Sequence, residues 1–176
     1  MGLEEILTNR KSAICAKWFD LVIKTYPEET ARFLKTKKNR FANPVGHILF
    51  QELESIMDGL IRGEDVDSMR PGLDNIIRIR AVQDISASQA VVFILLLKPV
   101  IRQELDREIR ENRVGIGLLE LESKLDDLTL LAFDIYMQCR EKIYDLKANE
   151  LNNRTLRLLK RARIFSEDQA EDAAQD

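Results

Sequence analysis

The chain has 176 residues, a formal net charge of −3 and a hydrophobic content of 45%. Its length predicts one domain with a sizeable core, and its charge excludes a general electrostatic attraction to nucleic acid or anionic membranes. Only 7 glycines and 4 prolines are present, which favours a helical protein with few tight turns.

The cysteines and the N-terminus indicate a cytoplasmic protein. Cys15 and Cys139 lie far apart within apolar helical patterns, with neither metal-ligand spacing nor the density of a disulfide scaffold. The first residues carry acids at Glu4 and Glu5 and no long apolar stretch, so they do not form a signal peptide.

Three helices are predicted in the first part of the chain. Apolar residues recur at helical spacing over residues 3–24. Pro27, followed by two acids, starts a second helix. Asn43 and Pro44 start a third, with asparagine as the cap, and it ends at Gly63. A polar loop follows this helix.

A short helix from Pro71 to Val82 leads to the central helix, predicted over Ser86–Ile109. The central helix contains eight consecutive apolar residues, 90–97, and begins with a capping box of Ser86 and Gln89. A helix that is apolar on every side must be wrapped by other helices. Pro99 predicts a kink, which either bends the helix around its neighbours or exposes a carbonyl to a ligand.

The last helix is predicted from about residue 117 to residue 163, after a turn at Asn112–Gly117. At about 1.5 Å per residue it would be about 70 Å long, whereas a globule of this chain length is about 40 Å across. We therefore expect it to project from the body or to break near Asn152–Asn153. Residues 166–176 are acidic and are predicted to be a disordered tail.

The last helix carries an apolar stripe with a 4-3-4-3-4 spacing. A projecting stripe of this kind needs a partner, and the simplest partner is a second copy of the chain. We therefore predict a homodimer through what we call the predicted dimer stripe, which consists of Leu121, Leu125, Leu128, Ala132, Ile135 and Cys139.

Three separated blocks of residues are similar to one protein family. Trp18-Phe19 with Thr25-Tyr26-Pro27, then Phe41–Gly46, then Arg78–Ala90 resemble the RsbRD N-terminal domain family, the sensor-like domains named after the RsbR co-antagonists of the bacterial stressosome. The similarity covers about residues 5–145. The residues that carry it are Trp18, Tyr26, Pro27, Phe41, Asn43, Pro44, Gly46, Arg80, Gln83, Ser88 and Gln89.

The resemblance implies an all-α, globin-like helical bundle with an extended C-terminal helix, in a haem-free, dimeric regulatory domain of the bacterial cytoplasm. In longer relatives such a domain precedes a STAS or kinase output domain. Here only the acidic segment follows the last helix, so we expect residues 1–165 to form a stand-alone sensor domain whose output comes from an unidentified protein partner.

His47, the only histidine, is the natural candidate for a haem ligand. A haem globin takes its axial histidine from the short helix before the central one, and that helix offers Arg78 and Arg80 instead. We therefore interpret His47 as a structural or capping residue and expect no cofactor.

A small apolar pocket is a further candidate site, between the central helix and the helix that starts at Pro44. Some haem-free globin-like sensor domains hold a fatty-acid-like ligand, and by resemblance an apolar small ligand fits here. The alternative is that these residues simply pack against one another. The candidate lining residues are His47, Phe50, Met57, Phe93 and Leu97.

Catalysis and metal binding find no support in the sequence. With a single histidine, the sequence shows no cysteine–histidine pair or serine–histidine–aspartate triad with a supporting base. It also shows no cluster of metal-ligating residues and no glycine-rich phosphate loop. The basic segment 154–163 resembles a membrane-surface or nucleic-acid element, but we interpret it as the solvated end of a helix.

The sequence therefore predicts a non-enzymatic signalling domain of a stress response, acting through dimerisation and recognition of a partner or small ligand. Two alternatives stay open: a globin-like protein that binds haem or a fatty-acid-like ligand, and an accessory subunit of a larger redox or kinase assembly.

Overall fold

The computed structural model describes residues 2–35, 43–83 and 85–172, with side chains described as far as residue 162. Within these ranges the regular elements are helices and no residue lies in a strand. None of the described helices combines the length and the apolar character needed to cross a bilayer. The predicted all-α class with a long C-terminal helix is confirmed.

The helix order follows the predicted order, with differences in the central segment. A 3₁₀ turn, Val66–Met69, occupies most of the predicted polar loop. The α-helices are α1 (Leu3–Ile23), α2 (Glu28–Lys35), α3 (Pro44–Ile61), α4 (Arg70–Ala81), α5 (Ala87–Leu95), α6 (Leu97–Glu104), α7 (Asp106–Arg110) and α8 (Gly115–Asp172).

Side-chain caps and two left-handed residues set the helix ends. The capping box of Ser86 and Gln89 is present at the start of α5. Gly63 has φ +68° just after α3, and the following amide, of Glu64, donates to the Gly59 carbonyl; this is the arrangement for which glycine is favoured. Asn112, after α7, has φ +53°, and asparagine also adopts this left-handed conformation at helix ends. The predicted turn at Asn112–Gly117 is therefore present, but it is shorter than predicted because α8 already begins at Gly115.

The central helix is interrupted twice, once beside Pro99, where a kink was predicted, and once at Leu105, where none was. It consists of α5, α6 and α7, which are interrupted at Leu96 and Leu105. Pro99 has no N–H and its ring crowds the carbonyl four residues earlier, that of Leu95. The chain accommodates this by ending α5 at Leu95, which places Pro99 in the first turn of α6, where proline is tolerated.

The expectation that the central segment is wrapped on every side is also wrong. Ala90, Phe93, Ile94 and Leu97 are at most 1% exposed, but Leu95 is 38% exposed. The apolar run therefore buries one broad face and leaves an apolar side chain on the surface.

The core forms around Trp18 of α1. Trp18 is fully buried, and its Nε1 donates to the Phe93 carbonyl of α5 at 2.6 Å. Phe19, on the next position, packs edge-to-face on Phe50 of α3 with ring centroids 5.2 Å apart. These contacts join α1, α3 and α5 into one apolar interior.

The chain divides into two compact units, Met1–Met137 and Gln138–Asp176. Within the second unit the described residues are helical and most are exposed. The alternative of a break near Asn152–Asn153 is wrong, because α8 runs through both residues to Asp172. The predicted disorder of 166–176 stays a prediction, since side chains beyond 162 and all of 173–176 lie outside the described residues.

A buried carboxylate ties α1 to α7. Arg10 Nη2 lies 2.5 Å from Glu108 Oε1, and Arg10 Nη1 donates to Glu108 Oε2 at 3.2 Å and to the Glu104 carbonyl. Glu108 is only 5% exposed. The hydrogen bond from Arg10 holds the pKa of the Glu108 carboxyl below its usual range.

We expect the contribution of Glu108 to stability to depend on pH. A folded-state pKa below the unfolded value stabilises the protein above the unfolded pKa, and this contribution is lost as the pH falls through the folded pKa. Glu108→Gln should therefore lower the melting temperature at pH 7, and the difference from wild type should shrink towards pH 3. Thermal unfolding followed by circular dichroism at the two pH values measures this.

The matched control for this prediction is Glu111→Gln, which removes the exposed ion pairs of Glu111 with Arg107 and Arg113. Exposed pairs contribute little, so this variant should melt close to wild type at pH 7. A Glu108→Gln deficit that stays the same at both pH values would contradict the prediction.

Candidate functional site

The most unusual side chain in the described chain is the buried arginine Arg80, near the end of α4. It is 1% exposed. Its Nη2 donates to the Thr25 hydroxyl at 2.9 Å and to the Gln89 carbonyl at 2.7 Å. Arg80 thereby joins the end of α1 and the start of α5 to α4.

Two nitrogens of Arg80 have no hydrogen-bond partner in the described chain. Nε and Nη1 are buried without an acceptor, and no described carboxylate forms an ion pair with the guanidinium. A buried donor without a partner costs about 1–3 kcal/mol, and a buried charge is ordinarily paired. Such an arrangement needs a reason beyond packing.

Aromatic rings supply part of the missing compensation. The guanidinium carbon of Arg80 lies 4.7 Å from the centroid of the Tyr26 ring and 5.8 Å from that of Phe93. Cations are attracted to aromatic faces at these distances. Burial raises the pKa of the Tyr26 phenol, opposed by the positive charge of Arg80, so the ring is neutral at physiological pH.

A shallow pocket opens on the outer side of Tyr26. Its volume is about 380 Å³, and it lies where α1 passes into α2. It is lined by Lys24, Tyr26, Glu28, Ala31, Arg32 and Lys35. Arg32 forms an ion pair with Glu28, whereas Lys24 and Lys35 form no ion pair with a described residue.

Asn43 and Gly46 join α2 to α3. Asn43 is 2% exposed; its Oδ1 accepts from the Gly46 amide at 2.9 Å, and its Nδ2 donates to the carbonyls of Phe33 and Leu34 at 3.0 and 2.9 Å. A Cβ on Gly46 would lie 2.4 Å from Asn43 Nδ2 and 2.8 Å from the Leu34 carbonyl oxygen. The glycine is required because backbone and cap approach so closely.

The residues that carry the family resemblance therefore fall into these two groups. Tyr26 and Gln89 contact the buried guanidinium of Arg80, and Trp18 donates a hydrogen bond to Phe93, whose ring lies beside the guanidinium. Asn43, Pro44 and Gly46 form the start of α3. The remaining residues are peripheral or not described: Pro27 precedes α2, Gln83 is half-buried, Ser88 hydrogen-bonds to the Ser86 hydroxyl at 3.1 Å, and Phe41 lies outside the described residues.

The five candidate pocket residues are not brought together. His47 and Phe50 line a surface pocket of about 320 Å³ with Asn43, Gly46, Gln51 and Glu54. Met57, Phe93 and Leu97 are 0% exposed and belong to the core. The surface pocket therefore contains only His47 and Phe50 of the five, and an apolar ligand site between α3 and α5 stays a prediction.

The predicted dimer stripe is largely covered by the chain itself. Leu125, Leu128 and Ala132 are 0% exposed, Ile135 is 3% and Leu121 is 7% exposed. Cys139 is half-buried. Side chains buried within one copy cannot form the contact surface of a second, so the residue assignment of the interface is wrong, although dimerisation itself stays a prediction.

The opposite side of the same helix segment is apolar and exposed. Leu130, Phe133 and Met137 are 68%, 42% and 40% exposed and follow the 3-4 spacing of one helix face. The ion pairs Lys98–Asp126 and Arg102–Glu122 hold α6 antiparallel to α8. Leu95 therefore lies at the same end of this helix pair as Leu130. We call Leu95, Leu130, Phe133 and Met137 the apolar face.

The described residues contain no group of three or more side chains able to hold a metal ion. The two cysteines also differ in environment, since Cys15 is fully buried and Cys139 is not. Burial raises the pKa of the Cys15 thiol to about 11, and the thiol form is a poor nucleophile.

We expect one thiol of the native protein to react with DTNB. Cys139 should be labelled first, whereas Cys15 should react only on unfolding in denaturant. Cys139→Ser should remove the fast phase, and Cys15→Ser should leave it unchanged. Equal labelling rates of the two native thiols would contradict the buried position of Cys15.

The sequence singles out Arg80 only as part of the block Arg78–Ala90 that resembles the family, and its burial was not predicted. The available signal was its position on the apolar side of a short amphipathic helix, four residues after Ile76 and three after Ile77, both fully buried. Arginine is seldom fully buried, so the sequence pattern alone does not favour a buried position for it.

Comparison with known proteins gives one match. The family model described as RsbT co-antagonist protein rsbRD N-terminal domain matches residues 12–151, which is most of the chain. No curated protein and no solved structure matches the chain.

Proposed function

We propose a function for this chain from the family to which it belongs, the RsbT co-antagonist protein rsbRD N-terminal domains. The family implies a stressosome-type regulatory sensor domain, which is a regulatory rather than a catalytic role. In our proposal the chain is a non-enzymatic bacterial signalling domain of the cytoplasm, which forms a homodimer and responds to a protein partner or a small ligand.

The observation that carries the dimer is the exposed apolar face. Of its four large apolar side chains, each at least 38% exposed, Leu95 ends α5 just before α6 and the other three lie on one side of α8. Neighbouring apolar side chains on a surface are typical of an interaction site. Two identical copies related by a two-fold axis would cover this face with itself.

Dimerisation through this face gives the domain a route for a signal. α8 carries core residues such as Leu125 and Leu128 on one side and Leu130 and Phe133 on the other. A small shift of α8 against the core therefore moves the dimer surface as well. Shifts of packed helices by about 1–2 Å are an established way of transmitting a change to an interface.

Exposed side chains of the second unit favour binding of a separate protein partner. Tyr144, Leu151 and Leu158 recur every seven residues and are 56%, 64% and 58% exposed. Cations follow each of them by three residues, at Lys147, Arg154 and Arg161. An amphipathic helix with acidic flanks matches this combination of apolar and basic side chains.

Sedimentation equilibrium of the full chain tests the dimer. Across an about hundredfold range of concentration we expect the apparent mass to rise from that of one chain, 20.3 kDa, to twice that value, because a homodimer dissociates on dilution. A single-chain mass at every concentration would contradict the proposal.

A further inference from the structure

The buried guanidinium of Arg80 and the pocket outside Tyr26 together suggest a ligand. We propose that this region is a binding site for a small oxyanion, a carboxylate or phosphoryl group, which enters beside Lys24 and Lys35 and reaches Arg80 when the Tyr26 ring moves aside. Binding itself is independent of the proposed function; only the role of the anion as the sensed signal rests on it.

The first argument is the charge and hydrogen-bond state of Arg80. A guanidinium carries five N–H donors, and the described chain provides acceptors only to Nη2. Nε and Nη1 leave three N–H groups buried without acceptors. An oxyanion supplies both the missing acceptors and the missing negative charge.

The second argument is the position of Tyr26 between Arg80 and solvent. The ring lies 4.7 Å from the guanidinium carbon and also lines the pocket. Tyr26 follows the last turn of α1 and precedes Pro27 in the connection to α2. A rotation of this one side chain would join the pocket to the buried cation.

The third argument is the charge of the pocket. Its three cations, Lys24, Arg32 and Lys35, face one acid, Glu28, which is paired with Arg32. The two lysines are exposed and attract an anion to the entrance. Its volume of about 380 Å³ is within the range of small-molecule sites.

Trp18 provides a built-in reporter for the test. It is the only tryptophan, and its Nε1 donates to Phe93, whose ring lies 5.8 Å from the Arg80 guanidinium carbon. The full chain is titrated with sodium phosphate, acetate and octanoate at an ionic strength held constant with chloride. Trp18 emission and isothermal titration calorimetry follow binding.

We expect saturable binding of at least one probe by the wild-type chain. Binding of phosphate alone would indicate a phosphoryl ligand. Equal binding of acetate and octanoate would indicate a carboxylate without further requirements, and binding of octanoate alone would indicate a carboxylate with an apolar tail. Arg80→Met should weaken binding by about tenfold or more, because charge-assisted hydrogen bonds are lost. Lys24→Ala with Lys35→Ala should weaken it several-fold, and the remote control Lys142→Ala should not.

Binding by the folded variant, not stability, separates this proposal from a purely structural role of Arg80. Arg80→Met also removes the hydrogen bonds to Thr25 and Gln89, so a lower melting temperature alone would indicate only a structural role, whereas weaker binding by the folded variant supports the proposal. If this variant does not fold, the lysine variants and their control carry the test. No saturable binding by folded wild type, or equal binding by Arg80→Met, would overturn the proposal.

Two further outcomes are informative. Asp84, four residues after Arg80, lies outside the described residues; binding by Asp84→Asn but not by wild type would overturn the proposal by identifying Asp84 as the counter-ion. A chain that binds a probe but sediments as a monomer would contradict the dimer alone, and a dimer that binds no probe would contradict this inference alone.

Discussion

Replacing Leu130 and Met137 together by glutamate is expected to give a folded monomer. Burying a leucine or methionine side chain contributes about 1.5–3 kcal/mol, and a two-fold interface contains each substitution twice. Losing even half of this contribution weakens the dimer by about a thousandfold. Both side chains are exposed in the single chain, so its own core is untouched. Sedimentation equilibrium and far-ultraviolet circular dichroism measure the mass and the fold.

The controls lie on the same helix. Glutamate at Leu128 and Ile135, which are 0% and 3% exposed, should unfold the protein instead of separating two folded copies. Charge reversal at Arg157, which is exposed in the second unit, should leave the dimer intact. A folded dimer of the Leu130 and Met137 double variant would show that the interface lies elsewhere.

The error in the predicted dimer stripe has a clear physical origin. The 4-3-4-3-4 spacing from Leu121 to Cys139 correctly predicted a helix with one apolar side. Periodicity does not indicate which chain covers that side, and in the structure it is the chain's own helices that bury Leu125 and Leu128. The exposed face was overlooked because Phe133 and Met137 are adjacent to charged and polar residues, so their stripe is less regular in the sequence.

The start and end signals of the helices were more informative than their interiors. Asn43, Ser86 and Gly63 act locally, through hydrogen bonds or backbone angles that depend on a few neighbouring residues, and the structure confirms each. The central segment is interrupted at Leu96 and at Leu105. Only Pro99 indicated one of these interruptions in advance, and nothing in the sequence indicated the other.

The candidate anion site also depends on contacts between distant segments, which the sequence does not indicate. The family resemblance includes Tyr26, Arg80 and Gln89 but does not indicate that Tyr26 and Gln89 both contact Arg80. The contacts of Arg80 depend on three helix ends coming together, since Thr25 follows the end of α1, Arg80 lies near the end of α4 and Gln89 lies in the first turn of α5. Whether a buried arginine has its full set of acceptors can be determined only from the folded structure.

Gly46→Ala is expected to destabilise the protein by about 2–4 kcal/mol. Overpacking costs about 1–3 kcal/mol, and a displaced Asn43 would lose its cap on α3 at a further cost of about 1 kcal/mol. At about 2–4 °C per kcal/mol for a chain of this size, the melting temperature should fall by about 4–16 °C. Thermal unfolding measures this, and Gly115→Ala, whose new Cβ would meet only Asn112 Oδ1 at 3.5 Å, is the matched control.

A double-mutant cycle with Asn43→Ala distinguishes a clash with the cap from a general loss of helix stability. Asn43→Ala alone removes three hydrogen bonds and should destabilise strongly, because the carbonyls of Phe33 and Leu34 lose a buried donor. In the Asn43→Ala chain, the new Cβ at position 46 no longer meets Asn43 Nδ2 at 2.4 Å, but it still lies 2.8 Å from the Leu34 carbonyl oxygen. Gly46→Ala should therefore cost clearly less in the Asn43→Ala chain than in wild type, and strict additivity of the two effects would contradict the close approach.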